Sequence, residues 1–406
     1  VLQLNHREMS ERTAVFYFSC ITYDSLYQRP QQLLREWRAN FADSYEFYYV
    51  EYPAVKHFVV QRLRHFKHSI EAPLKKHNNK GDPFVLTWLC VPRSLWGTAL
   101  PERISQSVLS SRLIESAIRK TLNKQCGRTQ TKVAIVASSF WEPFISKDDF
   151  DLVCYDYLDP VDHFATSDYF QQEQHEKLIK KSDIIFVTAQ NLREDALSIA
   201  EEKDVVTVSN GTDANFFEMN KDSCEITDYT RTDKKRVGYM GSYWPVDMDL
   251  IFAAARELTE VDFLLIGPLD RQNQRRAHQK PENVFILGTK ERKQLPAYAQ
   301  MFDVALIPFK IGTMTDSIDP VKLYEYFSLG KPVVATATRE LKKFDDGRLL
   351  RTAKTQDEFV DAINAFLKYD AQEWQESRRQ IARQNSWYSK AGAMMDCIES
   401  RIGERS

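Results

Sequence analysis

The chain has 406 residues, of which 43% are hydrophobic and 12% aromatic, enough for two or three domains with sizeable cores. Its net charge of −2 excludes a general polyanion binder, so nucleic acid is not an expected partner. No run of about 18 apolar residues occurs, which excludes a membrane-spanning helix, and the opening residues 1–13 are polar with no signal-peptide core. Six scattered cysteines with no Cys-x-x-Cys pair indicate neither a zinc site nor a disulfide framework. They point to a reducing, cytoplasmic compartment. There is no Gly-x-Gly-x-x-Gly fingerprint, no internal repeat and no low-complexity tract.

Residues 13–20 read as a first strand, followed by a loop and a helix from about 30 to 37. That opening places Tyr27, Arg29 and Gln31 at the C-terminal edge of the sheet. Residues 45–52 are a second strand. The segment 56–80 then carries five Lys, two Arg and four His against the single acid Glu71, with Phe58, Leu63 and Phe66 between them. It suits an anionic membrane surface or, equally, a solvated insertion. Strands follow at 83–91 and 133–138, with a long helix at 102–123 between them. The apolar strand 151–157 ends in carboxylates, Asp156, Asp159 and Asp162, then His163. These are candidates for a general base or for turn and capping residues. Strands at 182–188 and 205–208 and helices at 171–180 and 191–200 complete a first block, and the polar stretch 218–235 reads as a linker and surface excursion.

The second block begins with a strand at 236–240, the loop from Gly241 and Ser242 to Trp244, and a helix at 247–258. Backbone N–H groups near Gly241 could face a diphosphate. Strands at 261–266 and 284–287 follow, the latter ending at Gly288. A helix at 295–302 leads to strand 304–308. Residues 309–318, with Lys310 and Ser317, join that strand to a helix for which Asp319 is a good N-cap and Pro320 a good first residue. Lys322 and Glu325 share one face of this helix. A lysine suits a phosphate, and a fixed carboxylate can accept two hydrogen bonds from a ribose diol. A solvent-exposed Lys–Glu pair is the plainer alternative. Gly330 stops the helix, and 332–336 is an interior parallel strand. Helices at 357–368, 373–385 and 390–402 end the chain. Alternation of strands and helices in two blocks argues for two doubly wound α/β domains facing a cleft.

The run Pro320-x-Lys322-x-x-Glu325-Tyr326, followed by Gly330-Lys331-Pro332-Val333-Val334, resembles the donor-binding helix of GT-B glycosyltransferases broadly similar to family 4. The Tyr27-x-Arg29-Pro30-Gln31 run resembles the opening loop of glycosyltransferases of bacterial surface polysaccharides, the teichuronic-acid type included. The resemblance implies a GT-B fold: an acceptor-side Rossmann-like domain over 1–212, a donor domain over 213–385, and a C-terminal helix over 386–406 crossing back to the first. It implies Glu325 on the donor ribose, and Lys322, Lys310 and the backbone near Gly241, Ser242, Ser317 and Pro320 on the diphosphate. The loop after Gly288 would contact the base, and Tyr27, Arg29 and Gln31 the acceptor. Ser317 stands where many relatives carry a second glutamate, and Asp156 and Asp159 stand where retaining relatives place a histidine.

The implied activity is metal-independent transfer of a sugar from a nucleotide diphosphate, a UDP-sugar, to a lipid-linked or polysaccharide acceptor at the inner face of a membrane. The nucleotide-sugar is substrate, and no cofactor is implied. Asp159 is favoured over Asp156 as base, because Asp156 continues the strand and Asp159 begins the loop. A base opposite the leaving diphosphate would invert the anomer. A GT-B-shaped sugar-nucleotide epimerase and a non-catalytic sugar-nucleotide-binding protein remain the alternatives.

Overall fold

The computed structural model describes residues 12–21, 23, 28–51, 74–76, 85–88, 119, 122, 126, 130–161, 169–222, 224–230 and 232–404. The chain divides into two compact units. One is Val1–Val187 with Leu192–Val208 and Ala391–Ser406; the other is Thr188–Asn191 with Ser209–Lys390.

Among the described residues the first unit is built on eight strands: β1 (Thr13–Phe18), β2 (Tyr45–Val50), β3 (Leu74–Lys76), β4 (Val85–Trp88), β5 (Lys132–Val136), β6 (Leu152–Tyr157), β7 (Ile184–Val187) and β8 (Asp204–Thr207). Their order is β3-β4-β2-β1-β5-β6-β7-β8, and only the β3–β4 pair is antiparallel. Strands β1, β5, β6 and β7 are nearly continuous apolar runs, buried throughout apart from the first residues of β1 and β5. Such runs suit parallel strands covered by helices on both faces. Among the described residues its helices include α1 (Arg29–Asn40), α2 (Tyr169–Lys181) and α3 (Gln190–Ile199).

Three residues expected at the substrate side belong instead to the interior of this unit. Arg29 is 4% exposed and Asp156 is fully buried. The Arg29 guanidinium donates from Nη2 to Asp156 Oδ1 at 2.9 Å, from Nε to Oδ2 at 3.2 Å, and from Nη1 to the Val208 carbonyl at 3.0 Å. Tyr17 adds its hydroxyl to Asp156 Oδ2 at 2.8 Å. Buried charges persist only when paired and hydrogen-bonded, and this pair is both. Gln31 is also buried; its Oε1 accepts the Gln28 N–H at 3.1 Å, one half of the capping box that starts α1. Arg29 and Gln31 are therefore framework residues rather than acceptor contacts. Asp156 has both oxygens occupied and is not placed to take a proton from substrate. Tyr27, Asp162, His163 and nearly all of the basic segment and of the helix expected at 102–123 lie outside the described residues.

The second unit holds six strands: β9 (Lys235–Met240), β10 (Val261–Ile266), β11 (Val284–Gly288), β12 (Val304–Ile307), β13 (Val333–Thr336) and β14 (Leu350–Ala353). All are parallel, in the order β11-β10-β9-β12-β13-β14. The order reverses between β9 and β12, the switch point at which open α/β sheets hold ligands. Around the sheet lie α4 (Ala214–Met219), α5 (Met248–Glu257), α6 (Arg271–Ala277), α7 (Leu295–Gln300), α8 (Val321–Ser328), α9 (Arg339–Lys342), α10 (Gln356–Lys368), α11 (Gln372–Gln384) and the start of α12 (Trp387–Gly403). From Ala391 onward α12 packs in the first unit, where Trp37 Nε1 donates to the Ala391 carbonyl at 3.1 Å and Tyr45 Oη to Glu399 at 3.0 Å.

The stretch 218–235 is not a free linker. Tyr229 is buried and donates to Asp262 at 2.7 Å, while Asp228 accepts from Tyr298 at 2.6 Å and pairs with Lys290. One aromatic anchor inside a polar window is enough to strap it down, and average hydrophobicity does not reveal it.

Removing the carboxylate in Asp156→Ala leaves the Arg29 charge buried without its partner. It should cost about 3–5 kcal/mol of stability, seen as a lower urea midpoint with an unchanged slope. A loss below about 1 kcal/mol would show that the guanidinium finds water or another acceptor.

Candidate active site

Three neighbouring strands of the second unit end at glycines. Gly241 after β9, Gly267 after β10 and Gly288 at the end of β11 have φ of 149°, 137° and 68°. Their backbones are joined: Gly241 N–H donates to the Ile266 carbonyl at 2.8 Å, and Gly267 N–H to the Gly288 carbonyl at 2.9 Å. A Cβ at Gly267 would lie 1.9 Å from the Gly241 carbonyl oxygen, and one at Gly241 would lie 1.8 Å from Lys322 Cε. Only glycine permits either contact. Gly241 thus contributes room rather than a donor, because its own N–H is already taken by Ile266. The next residue, Ser242, is exposed, and its carbonyl accepts from Tyr239 Oη at 2.6 Å.

Helix α8 carries Lys322 into that space. The helix begins at Val321 with Pro320 as its N-cap. Asp319 does not cap it. Its buried carboxylate accepts the Asn210 N–H at 2.6 Å and the Tyr324 hydroxyl at 3.0 Å, and burial raises it to about 6. A stronger set of donors than the helix N-terminus has claimed it. Gly330 ends the helix as its spacing implied, with φ of 71°. Met240 N–H donates to Tyr326 Oη at 2.8 Å, which ties α8 to the end of β9.

Lys322 and Glu325 are both partly buried on the same side of α8. Burial pushes the Glu325 carboxyl up, and the charges of Lys322 and Arg292 pull it back. Arg292 is the residue that sequence reasoning missed. Its guanidinium lies 3.9 Å from the centre of the Phe216 ring and 3.8 Å from Asp213 Oδ2. The only signal for it was a basic residue following the Gly288 loop. The structure therefore brings Gly241, Lys322, Glu325 and Arg292 together. Where Gly288 would carry a side chain there is open space.

The remaining expected residues differ in their fit. Lys310 is exposed on the loop after β12, its N–H held by the Pro245 carbonyl at 2.8 Å. Ser317 is buried, with its N–H on the Met314 carbonyl at 2.9 Å and its hydroxyl on the Thr313 carbonyl at 2.9 Å. Ser317 has no donor left for a diphosphate, which corrects that assignment. Asp159 belongs to the first unit. It lies just past β6 and reaches solvent, while the protein around its other sides raises its carboxyl to about 6. Its situation is the opposite of that of Asp156.

Two doubly wound α/β sheets, the second with a basic–acidic pair at its switch point, are the arrangement of the GT-B fold. Residues 234–369 match the family model described as "Glycosyl transferases group 1". The chain is 27% identical over 221 residues to TuaH of Bacillus subtilis (strain 168), named for teichuronic acid biosynthesis; the match spans 52% of this chain and only 55% of that protein. Among solved structures it resembles sucrose-phosphate synthase from Thermosynechococcus elongatus, with a TM-score of 0.67, 15% identity, and 97% of this chain and 100% of that one covered. It also resembles Anabaena HepE, solved with UDP and glucose, with a TM-score of 0.64, 14% identity, and coverage of 96% and 100%.

Proposed function

We propose that the protein transfers a sugar from a UDP-sugar to a lipid-linked or polysaccharide acceptor during assembly of a surface glycan. The observation that carries this reading is the Lys322–Glu325 pair of α8 set against the glycine edge of β9, with the Lys322 stem lying on Gly241. Binding of UDP and glucose by HepE, and the role named for TuaH, support it.

In this reading Glu325 accepts hydrogen bonds from the ribose diol. Lys322 and Lys310 neutralise the diphosphate, whose charge grows as the glycosidic bond breaks. The open space at Gly288, beside Arg292, takes the base. Asp159 removes the proton of the acceptor hydroxyl. With a carboxyl near 6 it is ionised at neutral pH and remains a usable base. A base of this kind acts opposite the leaving group, so the product anomer is inverted. The chemistry uses charge and position alone and asks for no metal. Residues 56–80 attach the protein to the inner face of an anionic membrane. No helix among the described residues is long and apolar enough to cross one.

Glu325→Ala should weaken UDP-sugar binding by about 1–3 kcal/mol in calorimetry. Lys322→Ala should lower affinity for UDP more than for uridine, and equal losses would make the lysine a structural residue. Asp159→Asn should reduce turnover by ~10²–10⁴-fold with donor affinity nearly kept. Because the base acts when deprotonated, the wild-type rate should rise as pH increases through about 6 and then level off. Near-normal turnover in Asp159→Asn, or an NMR-assigned product with retained configuration, would remove the base assignment. Co-sedimentation with anionic vesicles should fall with added salt and with Lys→Glu changes in 56–80; insensitivity to both would leave that segment a solvated insertion.

A further inference from the structure

Among the described residues the large apolar side chains left exposed are few, and two of them belong to neighbouring loops. Trp244 is 50% exposed and Ile311 54% exposed. They lie on the loops after β9 and β12, the two strands that flank the switch point of the second unit. Val246 and Phe309 form an antiparallel bridge between these loops. Asp247 N–H donates to the Pro308 carbonyl and Lys310 N–H to the Pro245 carbonyl, both at 2.8 Å. A turn closed by the Val246 N–H on the Tyr243 carbonyl at 3.0 Å then brings Trp244 out just before this bridge.

The backbone around Trp244 is held on both sides. Tyr243 is fully buried, and its carbonyl accepts from the buried Asn273 Nδ2 at 2.9 Å. Pro245 and Val246 are buried as well. Tryptophan is a residue that folding usually covers, yet here the neighbours go inward and the indole goes out. No ring or cation contact covers it among the described residues, whereas exposed Tyr369 has Trp374 edge-on at 5.2 Å. A large flat side chain with two rotatable bonds, on a fixed backbone, loses little freedom when it meets a ligand.

We propose that Trp244 is a stacking platform for a pyranose ring, with the exposed Lys310 and Ile311 on the loop bridged to its own. The inference rests on the glycosyltransferase reading of this edge and extends it. One face of a pyranose is lined with C–H groups and its rim with hydroxyls. The C–H face fits the negative face of the indole, and an ammonium at the edge can donate to a hydroxyl. The ring is either the sugar being transferred or a sugar of the acceptor. Both present the same chemistry to Trp244.

The test uses the full chain with Trp244→Ala and Trp244→Phe. Calorimetry is run with UDP and with UDP-glucose, transfer is followed with octyl β-glucoside as a surrogate acceptor, and saturation-transfer NMR is recorded with methyl β-glucoside alone. Trp244→Ala should keep UDP affinity within about twofold and lose about tenfold elsewhere, the upper end for one aromatic contact. If the ring is the donor's, the loss falls on UDP-glucose affinity; if it is the acceptor's, it falls on the KM for octyl β-glucoside. Trp244→Phe should retain most of either. Saturation transfer to the methyl β-glucoside ring protons should vanish in Trp244→Ala and persist in Trp244→Phe. The proposal is overturned if donor affinity, acceptor KM and saturation transfer all stay within about twofold in Trp244→Ala. It is equally overturned if UDP affinity falls as much as UDP-glucose affinity, because the residue then only supports its loop. Should the wild type bind neither UDP nor UDP-glucose, the donor reading fails, and the platform is judged by the methyl β-glucoside signal alone.

Discussion

The geometry of the Gly241 edge depends on how closely two loops of the second unit approach each other. At Gly267 even a methyl group would lie 1.9 Å from the Gly241 carbonyl oxygen, far inside van der Waals contact. With glycine at both places the ends of β9 and β10 close against each other, and the Gly241 N–H reaches the Ile266 carbonyl. The Lys322 stem lies over Gly241, where a side chain of that residue would otherwise be. A side chain at Gly267 would push the strands' ends apart, and one at Gly241 would displace the lysine stem. The charge at this edge is thus positioned by the absence of side chains.

Electrostatics at the same edge are a balance rather than a single attraction. Partial burial of Glu325 favours its neutral form, while Lys322 and Arg292 favour the carboxylate. Arg292 is itself steadied by the Phe216 ring and by Asp213. A carboxylate in such surroundings is less hydrated than one on an open surface, so hydroxyl donors compete with fewer waters for it. The glutamate and its two cations act as a set, and the worth of each depends on the other two.

In the first unit, two aspartates three positions apart along the chain have different fates. Asp156 pairs in register with Phe186 of β7, deep in the sheet, and is tolerated there only because Arg29 and Tyr17 meet it. Asp159 follows the last residue of β6 and leaves the ladder. Surrounding protein raises the Asp159 carboxyl toward neutral pH while leaving it in reach of solvent, and full burial with a complete set of donors is what makes Asp156 inert. The interior pair also joins α1 to β6 and β8, which fixes the sheet edge from which Asp159 emerges.

Much of this architecture was legible in the residues themselves. Apolar runs such as Val133–Val136 and Ile184–Val187 announce covered parallel strands. The sequence around Pro320, Lys322, Glu325 and Gly330 marks a short helix between a loop and an interior strand, because start, stop and apolar face all agree locally. Helix α6 and strand β14 were not legible, since their polar residues, RQNQRRA and LRTA, give no period to read. Neither was the role of Arg29, which looks like a surface residue at a helix start but answers a carboxylate 127 positions away. The same holds for Arg292 beside Glu325 and for the exposure of Trp244 between buried neighbours. Periodicity and caps report which face of an element is apolar and where it begins, and these are local properties of the chain. Which donor meets which acceptor, and which aromatic is left uncovered, follows from strand order and close packing, and these come into being only when distant segments meet.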